Sequence, residues 1–164
     1  MIDFVIAVTV LSAVAPGAGS CVPVMAEPIS SRVDSILASK DVPERSAQIG
    51  ELAGYWRGHC AASRRTADRE VVVSLARLLS DPLARLVASS MLLDIGPNLR
   101  FARSALTRAL AQQEAREKAQ ARAAEPFVPT TKNQVSVSLR CVLTKLRSGA
   151  VDAKLCRYIK RLSD

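Results

Sequence analysis

The sequence predicts an all-α fold, on three observations. Apolar residues recur at helical spacing along most of the chain, while strand-like alternation is confined to residues 134–139. Hydrophobic residues make up 49% of the chain but aromatic ones only 4%, so alanine, leucine and valine must supply the core, as closely packed helices allow. Asp-Pro and Gly-Pro pairs punctuate the patterned stretches where one helix should stop and the next begin. At 164 residues the chain is of one-domain size, long enough to bury a core without obligatory metals or disulfides.

Residues 1–26 read as a secretory signal peptide. Residues 4–15 are apolar and chargeless, too short a run to span a bilayer, which takes roughly 20 residues. Pro16-Gly17 breaks any helix, and small residues precede two cleavage points: Ala18-Gly19-Ser20 before Cys21, and Val24-Met25-Ala26 before Glu27. Cleavage before Glu27 is the first choice and before Cys21 the second. A lipidated Cys21 fits less well, because Ala18 stands where lipoprotein signals usually carry leucine. The departure from the signal pattern is Met1-Ile2-Asp3, which lacks the usual basic residue. The competing reading is an apolar N-terminal core helix.

The helices follow in order. Ser30 or Ser31 is placed to cap the first, with Val33, Ile36 and Leu37 inward. Asp41, with Pro43 in the first turn, opens a second whose stripe is Ile49, Leu52, Ala53, Trp56 and Cys60. Arg57, Arg64 and Arg65 gather at its end, where cations suit the helix dipole. Thr66 or Asp68 opens a third, with Val72, Leu75, Leu78 and Leu79 inward. Asp81-Pro82 repeats the cap-and-proline device, and the fourth buries Leu83, Leu86, Val87 and Leu93. Gly96 reads as a left-handed residue ending that helix, and Pro97 blocks its continuation.

Asn98 caps a fifth helix with Phe101, Ala102, Ala105, Leu106, Ala109 and Leu110 as its stripe. Past Leu110 the apolar residues are nearly all alanines, giving high helix propensity with little to bury. The principal helical domain therefore covers residues 27–125, ending in a solvated extension. Pro126 and Pro129 mark residues 126–133 as an extended linker. A helical hairpin over residues 134–164 completes the chain. Its first helix carries Val135, Leu139, Val142 and Leu146 on one face and ends at Gly149; Asp152 caps the second, with Leu155, Ile159 and Leu162.

The run Ala84-Arg85-Leu86-Val87-Ala88-Ser89-Ser90-Met91-Leu92-Leu93-Asp94-Ile95-Gly96 resembles the second helix of a HEAT repeat of the short bacterial type. Asp81 matches that family's turn aspartate, Ala84-Arg85 its Val-Arg pair, Ala88 and Ser89 its small positions, and Ile95-Gly96 its helix end. Ala102-Arg103-Ser104-Ala105-Leu106 matches the opening of the following repeat but lacks its proline. The likeness covers residues 70–110. It implies HEAT-like helical hairpins stacked as a short solenoid or bundle, with a surface offered to a partner and no catalytic residue.

Function classes can be narrowed by charge and motif. With 23 Lys and Arg against 15 Asp and Glu, the formal net charge is +8. The possible polyanion surface is Arg140, Lys145, Arg147, Lys154, Arg157, Lys160 and Arg161, with Tyr158 the only interleaved aromatic. Such a surface suits an anionic polymer or an acidic protein, with nucleic acid the weaker candidate because stacking residues are scarce. His59-Cys60 is the only adjacent base and thiol, but helical neighbours point about 100° apart. The four cysteines are too dispersed for a zinc site. No Gly-rich phosphate loop or His-Glu-x-x-His sequence occurs. No enzyme activity and no cofactor are expected.

Cys141 and Cys156 should lie nearly level on consecutive antiparallel helices, and closing so short a loop would contribute about 3 kcal/mol. Cys141 lies well off the stripe of Leu139, Val142 and Leu146, and Cys156 on the flank of its own, so a bond requires some rotation of one helix, which argues the other way. Retention of Cys21 would allow a Cys21–Cys60 pair as well.

The reading is thus an exported interaction or scaffold protein, periplasmic or secreted in a bacterium, binding an unidentified protein partner and holding no membrane span once the signal is removed. The alternative is a cytoplasmic, basic, nucleic-acid-binding helical protein. In either case Leu79 and Leu92 belong to the patterned core. Leu79→Ala or Leu92→Ala should cost roughly 2–5 kcal/mol in thermal melts, more than any single change within residues 112–125. Equal losses in the two sets would contradict the scaffold.

Overall fold

Every regular element among the described residues is helical, in keeping with the all-α expectation. The structure, a computed structural model, describes residues 21–123, 134–151 and 156. The elements are α1 (Ala26–Ala38), α2 (Val42–Arg57), α3 (Ala61–Arg65), α4 (Arg69–Arg77), a 3₁₀ turn (Leu78–Ser80), α5 (Arg85–Asp94), a second 3₁₀ segment (Pro97–Ala102), α6 (Arg103–Ala123) and α7 (Gln134–Ser148). Residues 134–139, the one stretch with strand-like alternation, lie in α7. Leu139 is buried and Val135, one turn before it, packs against the core, while Val137 is only half-buried, so tertiary burial follows the helical period and overrides the local alternation.

Side-chain pairings fix the directions of these helices. Arg45 near the start of α2 reaches Asp81 just before α5, and Trp56 at the end of α2 reaches Asp94 at the end of α5, so the two run parallel. Lys145, late in α7, meets the carbonyls of Leu93 and Ile95 at the same end of α5, so α7 is parallel to both. On the other side, Asp34 of α1 pairs with Arg77 of α4 at 2.7 Å, each in the C-terminal half of its helix. Gln112 and Gln113 of α6 return to Arg85 at the start of α5. The result is three antiparallel pairs, α1/α2, α4/α5 and α6/α7, with α1, α4 and α6 in one layer and α2, α5 and α7 in the other.

The middle pair is packed from several sides. On α5 the residues Arg85, Ala88, Ser89, Ser90, Met91, Leu92 and Leu93 are all buried. The expected inward face was Leu83, Leu86, Val87 and Leu93; of these Leu93 is buried, Leu86 and Val87 are half-buried, and Leu83 is 44% exposed. The helix starts two residues later than the sequence pattern places it, because Asp81 first closes a turn through the Leu83 and Ala84 N–H groups. Arg85 then occupies an interior position as the bulkiest fully buried side chain. Its Nε donates to the Leu79 carbonyl at 2.8 Å, and its two terminal nitrogens donate to Gln113 at 3.0 Å and Gln112 at 3.2 Å. The second half of α6 is therefore more than a solvated extension. Burial lowers the Arg85 pKa first, with Arg116 acting in the same direction and Asp81 opposing.

An internal repetition accompanies this arrangement. Asp41-x-x-x-Arg45 and Asp81-x-x-x-Arg85 stand 40 residues apart, each with a proline in its first turn. Asp41 caps α2 through the Glu44 N–H at 3.1 Å, and Arg45 passes to the next pair by holding Asp81 at 2.9 Å.

Three helix ends differ from expectation. The first helix begins at Ala26, so Ser30 and Ser31 lie within it rather than at its cap. Asn98 caps nothing; it donates from Nδ2 to the Ala67 carbonyl at 2.9 Å, and the chain passes through a 3₁₀ segment before α6. Gly96 has φ −83°, so it is not left-handed. Its need for glycine is a close approach instead. The Gly96 N–H donates to the Arg65 carbonyl at 2.9 Å, and a Cβ would fall 2.8 Å from that same oxygen. Gly149 does adopt positive φ, 72°, at the end of α7.

The last pair shares the core of the others. Leu139, Val142 and Leu143 of α7 are buried against α5 and α6. The 126–133 linker and the expected helix starting at Asp152 lie outside the described residues.

Gly96→Ala is expected to cost about 1–3 kcal/mol in thermal or urea melts, since the added methyl meets backbone. Gly50→Ala or Gly54→Ala, inside α2 with open space around each Cβ position, should instead gain roughly 0.5–1 kcal/mol. Similar signs at all three positions would contradict the α3–α5 approach.

Candidate functional site

An open groove of about 780 Å³ lies between α1 and α4. Parallel packing sets the N-terminal halves of the two helices side by side, and small residues prevent them from closing over it: Ala26, Ser30 and Ser31 on α1, Ser74 on α4. Val73 lies in the wall and is 43% exposed, a sizeable apolar side chain without cover among the described residues. The buried sides of the same helices, Ile29, Val33 and Ile36 against Val71, Val72 and Leu75, make the groove floor rigid.

Its electrostatics run against the sign of the chain. Glu27, Asp34 and Glu70 line the groove, with Arg69 the one cation among the described residues of its lining. Asp34 is answered by Arg77, and the Arg69 guanidinium lies 5.1 Å from the centre of the Phe101 ring. Glu27 and Glu70, in the first turns of α1 and α4, are thus left facing the opening, where each also favours its helix dipole.

The basic residues singled out from the sequence do not assemble into one described face. Arg140 is paired with Glu114 of α6 at 2.7 Å. Lys145 turns inward, with Nζ donating to the Leu93 carbonyl and, at 2.8 Å, to the Ile95 carbonyl. Arg147 is exposed. Lys154, Arg157, Lys160 and Arg161 lie outside the described residues. Lys145 is consumed by geometry that sequence spacing does not reveal, since the carbonyls it caps are 50 residues away or more.

The cysteines form two pairs at disulfide distance. Cys141 and Cys156, both buried, have Cα atoms 5.3 Å apart, and Cys21 and Cys60 have theirs 5.9 Å apart. Cys60 is not on the α2 stripe, because that helix ends at Arg57. It is the N-cap of α3, exposed, and accepts from the Ser63 N–H. The segment before α1 is tied down beside it: the Val24 N–H donates to Ser63 Oγ at 2.9 Å, and that hydroxyl donates to the Val22 carbonyl at 2.7 Å. His59 is turned away from chemistry with its neighbour, its Nδ1 lying 2.9 Å from the Tyr55 carbonyl and its ring against Tyr55. Among the described residues no cluster of His, Cys, Asp or Glu could hold a metal ion, and no helix is long and apolar enough to cross a membrane.

Comparison with protein-family models, with curated proteins and with solved structures gave no match. The groove and the cysteine pairs are therefore the features from which a function has to be argued.

Non-reducing peptide mapping is expected to recover Cys21 with Cys60 and Cys141 with Cys156. Sequence separations of 39 and 15 residues give a stabilisation of about 4 and about 3 kcal/mol respectively. Serine substitution of Cys60 or Cys141 should lower the melting temperature accordingly. A Cys60–Cys141 peptide would contradict the packing.

Proposed function

We propose that this chain is an exported helical interaction protein, a short HEAT-like array whose α1–α4 groove receives a segment of a protein partner in the bacterial envelope. The observation that carries the proposal is the groove itself. It is an open channel of about 780 Å³ on a stack of parallel-layered helix pairs, with small residues on both walls and an uncovered valine between them. Grooves of this size with an apolar centre and a few polar groups suit a side-chain-bearing segment. Glu27 and Glu70 favour a partner segment with a basic residue at the groove mouth.

The HEAT-like reading draws support from the three antiparallel pairs and from the Asp-x-x-x-Arg recurrence that links the first pair to the second. Export draws support from the two cysteine pairs, which suit an oxidising compartment. Under this reading signal cleavage falls before Cys21 rather than before Glu27. Cutting at Glu27 would remove the partner of Cys60 and the buried Val24.

Affinity capture from the envelope fraction, read by quantitative mass spectrometry, tests the groove. The double variant Glu27→Lys/Glu70→Lys is expected to lose the principal partner by about tenfold or more, since like charges then face each other, while its melting temperature stays close to the parent's. Undiminished capture by this variant, with the fold intact, would exclude the α1–α4 groove as the docking surface.

A further inference from the structure

We propose that a second pocket, bounded by α3, the C-terminal end of α5 and the end of α7, binds a phosphate group, either free inorganic phosphate or the phosphate end of a small ester. This pocket encloses about 300 Å³ and shares no residue with the α1–α4 groove. Among the described residues its lining brings together Arg64, Arg65 and Lys145 with one carboxylate, Asp94, while Ala61 and Val151 supply apolar wall. Two elements distant in sequence, α3 and α7, thus deliver cations to one small concavity, and α5 delivers the carboxylate.

The charges are not balanced within the pocket. Asp94 Oδ2 accepts from Trp56 Nε1 at 2.9 Å and lies 3.0 Å from Arg64 Nη1. That second approach is close enough for an ion pair but is not aligned as a hydrogen bond, and Arg64 Nε and Nη1 are buried without an acceptor. Arg65 makes no ion pair among the described residues; its backbone carbonyl, not its guanidinium, holds Gly96. Lys145 rests two of its protons on the Leu93 and Ile95 carbonyls and keeps a third. Burial lowers its pKa first, with Asp94 raising it and Arg65 lowering it again, as expected for an ammonium held near another cation.

The surplus over Asp94 is two positive charges, which matches a phosphate monoester or hydrogen phosphate, carrying about −1.5 to −2 near neutral pH. The size also limits the ligand. A volume near 300 Å³ lies at the small end of ligand pockets, enough for a phosphate and a short attached group. Arginine side chains suit this geometry, since charge-assisted N–H donation to phosphate oxygens is directional as well as strong.

Isothermal titration of the full chain with inorganic phosphate and, separately, glycerol phosphate tests the assignment, each against chloride at equal ionic strength. Saturable binding of one or both at a single site is expected, with Arg65→Gln weakening it by about tenfold and Arg103→Gln, on an exposed position of α6 outside the pocket, leaving it unchanged. Arg65→Gln should fold as the parent does because it retains the backbone carbonyl that Gly96 uses. Tighter binding of the ester than of inorganic phosphate would identify an esterified ligand, and the reverse would identify the free ion. Heats indistinguishable from chloride, or equal binding by Arg65→Gln and the parent, would overturn the proposal.

Discussion

The stack depends on how α5, buried along most of its length, satisfies charge at both of its ends. Before its start, the Asp81 carboxylate accepts from two backbone N–H groups and from Arg45, while Arg85 is held by one carbonyl and two glutamines. At its end, Lys145 takes two carbonyls and Asp94 joins Trp56 to Arg64. Asp81 before the N-terminal end and Lys145 at the C-terminal end suit the peptide dipoles, whereas Arg85 and Asp94, on the helix itself, run against them and are held by partners of their own. Together these contacts reach α2, at both of its ends, and α3, α6 and α7. The polar groups that allow α5 to be buried therefore also set the positions of the helices around it.

Removing any one of these partners would leave a buried charge without compensation, which is more damaging than never having placed it there. Arg85 illustrates the point. A leucine at that position would fill the space without demand, whereas the arginine requires Leu79, Gln112 and Gln113 in one arrangement. That demand fixes how far α6 slides along α5, a register that alanine-rich packing alone would specify poorly.

Much of the helix order was legible because it is written in local chemistry. Asp41 and Asp68 cap the helices that their positions announce, and Ile49, Leu52, Trp56, Leu75 and Leu79 are buried as periodicity requires. The failures share a cause. The helix does end just before Gly96, but the glycine is not left-handed there; a backbone 31 residues away, not the local helix end, requires it. Leu83 was assigned inward because the turn closed by Asp81 is not visible as spacing. Lys145 was placed on a surface because the carbonyls that receive it belong to another helix. The groove was illegible for the same reason: Ser30, Ser31 and Ser74 look like ordinary polar helix positions until two parallel helices set them face to face.

One cysteine pair ties the segment before α1 to the start of α3, and the other ties α7, in the last helix pair, to the chain that follows it. In a linear array each unit is held only by those beside it, so a terminal unit has one supporter where an internal one has two. Covalent links at the termini substitute for the missing supporter. A reducing environment would then act on the protein as fraying acts on a rope, loosening the outermost strands while the α4/α5 middle holds. The α1–α4 groove, which has one wall in an end unit and one in the middle, would be among the first shapes lost, so the docking proposed for it would follow the redox state of the surroundings before the fold as a whole did.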